Sequence, residues 1–122
     1  MTEKIIRSLS EITGLETKLK LNGKNGVSLY PEKVTTLAKF CDGGDFQRIE
    51  VRLKLKGESP SEMFSAAENA CDAVDASGEE TAVFRTAERP CFEPCSEVGL
   101  YIVSCRFTAD YIREAAENED NL

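Results

Sequence analysis

The sequence predicts an α+β domain in which a mostly antiparallel sheet carries two helices on one face. Three patterns lead there. The stretch QRIEVRLKLK, residues 47–56, alternates without a break, with Ile49, Val51, Leu53 and Leu55 on one side and Arg48, Glu50, Arg52, Lys54 and Lys56 on the other. That is the period of a strand with one buried and one charged face. GLYIVSCRFTADYI alternates in the same way, placing Tyr101, Val103, Cys105, Phe107, Ala109 and Tyr111 together. Residues 2–13 and 59–78 instead space their apolar residues as helices do. One-sided helices need a one-sided sheet, and antiparallel strands supply it.

Taken in order, residues 2–13 align Ile5, Ile6, Leu9 and Ile12 on one stripe, with Thr2 expected as N-cap and Gly14 as the stop. Lys18 to Leu21 and Val27 to Leu29 are expected as two short strands around NGKNG, whose asparagines and glycines suit a hairpin loop. Residues 33–41 are expected as a further strand, separated by Pro31, and CDGGD as the turn into the long strand. In SPSEMFSAAENACDAVDASG, Ser59, Pro60 and Glu62 read as a capping box, Met63, Ala67, Ala70, Cys71 and Val74 as the inner stripe, and Gly78 as the stop. ETAVFRTAE reads as a strand, and Cys91 and Cys95 fall in the loop after it.

The chain of 122 residues fits one domain, taken as residues 1–112 with an acidic tail over 113–122. No stretch approaches the roughly 20 apolar residues of a membrane span. MTEKIIRSLSEITG resembles no leader peptide, so a reducing cytosol is the expected compartment, and there five cysteines are expected as free thiols. A four-thiolate zinc site needs two C-x₂₋₄-C pairs, and only Cys91 with Cys95 forms one. A redox role for that pair lacks the basic surroundings that activate a thiolate, because Glu93 and Glu97 stand beside Arg89.

Histidine is absent, which excludes the Ser-His-Asp triad and every His-ligated metal. With 22 acidic against 15 basic residues, the chain is poorly suited to gripping phosphates. Asp42, Gly43, Gly44 and Asp45 lack the lysine of a phosphate loop and the ligand series of a calcium loop, and read as a tight turn. No catalytic, cofactor or metal constellation emerges, and the expectation is a protein that is no enzyme and needs no cofactor. The outer face of the long strand, with Arg48, Glu50, Arg52 and Lys54 alternating in sign, is a candidate subunit interface, set against a plain solvated face.

The order of CDGGDFQRIEVRLKLKG, SEMFSAAENACDAVDA, TAVFRTAERPCF and GLYIVSCRFTADYI resembles the minor capsid, or tail-terminator, proteins of long-tailed bacteriophages and prophages, best over residues 41–112. The Gly43-Gly44 turn leading to Phe46, the helix after it and the alternating strand ending near Tyr111 carry the resemblance; the cysteine content and NGKNG depart from it. It implies a tail-terminator-like domain assembling with itself, as a six-membered ring, at the head-proximal end of a tail tube. Such a ring stops tube growth, meets tail tube and neck or connector proteins, lets DNA through its lumen without binding it, and resides in a virion made in the bacterial cytoplasm. A head-closure or adaptor protein of the neck fits the same pattern, and an acidic inhibitory binding protein is the alternative from another class.

Overall fold

The structure, a computed structural model, describes residues 2–14, 26–78 and 82–113. Helix α1 (Thr2–Thr13) precedes strands β1 (Gly26–Lys39) and β2 (Asp45–Gly57), helix α2 (Pro60–Ala76), and strands β3 (Val83–Glu93) and β4 (Tyr101–Arg113). The strands form one antiparallel sheet in the order β1-β2-β4-β3. This is the α+β arrangement that the alternating strands and one-sided helices predict.

The two long alternating strands lie at the centre because each has a long apolar side to bury. Ile49, Val51, Leu53 and Leu55 of β2 stand opposite Ala109, Phe107, Cys105 and Val103 of β4. All eight are buried, with Ile5 and Leu9 of α1 and Ala67, Ala70, Cys71 and Val74 of α2 closing the core above them. The alanines of α2 let its backbone approach the sheet closely. Phe64 of α2 stacks on Phe92 of β3 with ring centroids 5.5 Å apart, within the range of favourable aromatic pairs.

Helix ends follow local chemistry only in part. Gly14 adopts φ +68° after α1, as a left-handed C-terminal residue should, and its N–H bonds Ser10 O. Pro60 starts α2, where its missing N–H costs nothing, yet the Ser59 side chain makes no capping bond, contrary to the capping-box expectation. The Met63 N–H bonds the Ser59 carbonyl instead, so the backbone itself closes the first turn. At the other end Ser77, not Gly78, caps the helix: its N–H and hydroxyl both reach Val74 O, at 3.2 and 2.7 Å.

Three boundaries differ from expectation. Val27 to Leu29 and residues 33–41 are not separate strands; β1 runs continuously through Pro31, because an edge strand has one side on which no N–H is needed. The predicted strand at 18–21 lies outside the described residues. β3 continues to Glu93 and so takes Cys91 out of the loop, since pairing with β4 persists past Pro90 on this second edge. β4 ends at Arg113, one residue inside the expected tail, because Arg113 pairs with Asp45.

Candidate functional site

The sheet face away from the helices is the most organised polar surface among the described residues. Alternation sends Arg48, Glu50, Arg52, Lys54 and Lys56 of β2 to it, and pairing brings Ser104, Arg106, Thr108 and Asp110 of β4 alongside. Each of the four candidate interface residues finds an ion-pair partner within its own chain. Arg48 grips Asp110 through two bonds of 2.7 and 2.8 Å. Glu50 meets Arg106 at 3.3 Å, and Lys54 meets Glu93 at 3.0 Å. Arg52 is the hub, with Glu32 at 2.8 Å, Glu88 at 3.4 Å and Glu93 at 3.8 Å, so it ties both edge strands to the centre.

The charges respond to this company. Bonding to Asp110 raises Arg48, and bonding to Glu93 raises Lys54. Burial works against the charge on Arg52, but Glu32, Glu88 and Glu93 together outweigh it and its pKa moves up. Arg106 uses both terminal nitrogens on Glu50 and Glu88, leaving its buried Nε without a hydrogen bond among the described residues. Most cations of this face are therefore held by its own carboxylates, which makes it nearly neutral.

The four turn residues divide. Gly43 takes φ +92°, a conformation that glycine adopts without strain, and the Asp42 carboxylate accepts the Gly44 N–H at 2.9 Å in an Asx turn. Asp45 is no turn residue: it opens β2, is buried and is held by Arg113 at 2.7 and 3.1 Å. Bonding to Arg113 holds its carboxyl below the usual aspartate range, against the opposing effect of burial. Gln47 joins this group by donating to Asp45 at 3.3 Å and to Thr36 at 3.1 Å, while the Tyr111 hydroxyl donates to Gln47 at 3.3 Å. These side chains clamp β1, β2 and β4 where the hairpin begins. The sequence carried the signal, since Asp45 and Gln47 continue the inward positions of Ile49 to Leu55, and inward polar residues require partners.

The cysteines occupy separate places. Cys71 of α2 and Cys105 of β4 are both buried. The neighbouring Cys71, together with burial, pushes Cys105 far up, so it stays a thiol, whereas Cys105 draws Cys71 down. Cys91 lies 4.0 Å from Ser104, and Cys95 borders a shallow apolar groove beside Phe92. Among the described residues no three histidine, cysteine, aspartate or glutamate side chains stand together as a metal site. None of the described helices is long and apolar enough to cross a membrane.

No protein-family model matches the chain, and a search of curated proteins finds no match.

Proposed function

We propose that this protein is a structural assembly protein of the tail-terminator type, forming a ring that ends a phage tail tube and joins it to the neck. One observation carries the reading: among the described residues the order β1-β2-β4-β3 leaves β1 and β3 as opposite edges that run in opposite directions. Copies placed side by side in one orientation therefore meet through two different borders, which is the heterologous contact a closed ring requires. Each border is also blunted. β1 carries Pro31 and two register shifts, and β3 carries Pro90 and two more. Such features prevent long edge-to-edge hydrogen bonding and uncontrolled sheet growth, so association runs through side chains.

The resemblance over residues 41–112 supplies the phage setting, and two properties suit it. Net charge of −7 disfavours retention of DNA passing through a lumen. The lattice of ion pairs on the outer sheet face favours a stiff tile over an adaptable binding surface. Native mass spectrometry and negative-stain microscopy of the purified chain test the reading. Rings, alone or seated on tail tubes, are the expected result; a protein that stays monomeric at high concentration and ignores tubes overturns it. Labelling of the protein in assembled particles separates a terminator, on the tube end, from a neck adaptor on the head side.

A further inference from the structure

Two apolar patches are left uncovered by the described residues, and they differ in face, position and rim charge. The first crosses the hairpin end of the outer sheet face. Ala38, Phe46 and Ile112 are direct cross-strand partners on β1, β2 and β4, and Phe40 stands two residues beyond Ala38. Ile112 is 59% exposed and Phe40 42%, although both are large apolar side chains. Next to this strip Arg48 is paired with Asp110, and on the row after it Lys33 and Arg85, which flank Glu50 and Thr108, have no ion pair of their own among the described residues.

The second patch lies on the helix side at the opposite corner. Pro60, Phe64, Phe92, Cys95, Leu100 and Tyr101 line a shallow groove between the start of α2 and the end of β3. Phe92, held against Phe64, is 54% exposed. Here the border is acidic. Glu68 lines the groove, Glu58 and Glu62 flank Pro60, and none of the three has an ion pair among the described residues. Helix α2 contains no lysine or arginine at all.

We propose that the Phe40, Phe46 and Ile112 strip of one copy seats in the Phe64–Phe92 groove of the next copy. The proposal rests on the ring reading and names its interface. Opposite rim charges bring Lys33 and Arg85 toward Glu62 and Glu68, which favours this pairing and disfavours strip on strip or groove on groove. The strip lies on one face of the sheet and the groove on the other, so neighbouring copies overlap like roof tiles. From Phe46 to Leu55, whose β4 partner Val103 stands opposite Phe92, is nine residues, about 30 Å along the strands at ~3.3 Å each. Joining two diagonal corners therefore sets the strands oblique to the ring axis, as in closed barrels.

The test uses the full chain with Cys41 and Cys91 changed to serine and Ile112→Cys introduced, leaving native Cys95 in the groove. A short bismaleimide should then join neighbouring copies into a ladder of trimers, tetramers and larger species on denaturing gels. In parallel, Ile112→Asp and Phe92→Asp, both at exposed positions, should each weaken self-association at least tenfold; Ile112→Asp should leave the melting temperature of the monomer unchanged, and Phe92→Asp, which also gives up the stacking on Phe64, should lower it modestly. Linkage that stops at dimers, or wild-type-like rings in both aspartate variants, places the interface elsewhere while the ring reading stands. A wild-type chain that never associates overturns both.

Discussion

Replacing Arg52 by methionine separates a side chain that holds its own fold together from one that holds a neighbouring copy. Methionine keeps the stem that packs along the sheet and deletes only the guanidinium, whose side chain is 16% exposed. Three ion pairs disappear with it, to Glu32, Glu88 and Glu93. Partly exposed pairs contribute about 0.3–1 kcal/mol each, and the more distant contacts fall at the low end, so the expected loss is about 1–2 kcal/mol. With unfolding entropy of about 2.1 cal/mol/K per residue, that loss corresponds to a fall of about 4–8 °C in melting temperature. Urea denaturation should give the same loss with an unchanged m value, because the surface exposed on unfolding is the same. The difference should shrink in 1 M salt, where the screening length is about 3 Å. A double-mutant cycle with Glu32→Gln should show a coupling of about 0.5–1 kcal/mol for the shortest of the three contacts. If Arg52→Met instead leaves the monomer as stable as before and dissociates an oligomer, the guanidinium serves an intermolecular contact and not the fold.

Three further outcomes follow from the geometry. Asp45 has a folded pKa below its unfolded value of about 3.9, so its pairing with Arg113 stabilises fully above about pH 4 and is lost as pH falls through the lowered folded value; Asp45→Asn should lower stability at neutral pH and flatten the acid side of a stability profile followed by circular dichroism. A thiol reagent should modify the exposed Cys41 and Cys91 first, and Cys71 and Cys105 only as the chain unfolds in denaturant; rapid labelling of all five in native buffer would show that the α2–β4 core opens readily. Gly43→Ala forces a side chain into φ +92° and should cost about 1–2 kcal/mol in chemical denaturation, whereas an unchanged stability would mean that the turn relaxes.

The sequence by itself determined the central architecture. An unbroken two-residue period in 47–56 and 101–111 can bury its apolar residues only as paired strands, and the helical spacing of Ile5, Leu9, Ala67, Ala70, Cys71 and Val74 demanded helices on that same side. Those preferences are local and repeat along the chain, so they survive without knowledge of neighbours. Pro31 and Pro90 were ambiguous for the opposite reason: a proline ends a central strand but is tolerated on an edge, and being an edge is a property of the assembled sheet.

The outer face shows the same division. Alternation placed Arg48, Glu50, Arg52 and Lys54 there, but their partners come from positions 32, 88, 93, 106 and 110, brought within reach only by register. The Asp45, Gln47, Tyr111 and Arg113 clamp and the Phe40, Phe46 and Ile112 strip likewise join residues more than sixty positions apart. Long-range pairing decides such juxtapositions, because a charge or an aromatic ring carries no mark in the sequence of which strand will lie beside it.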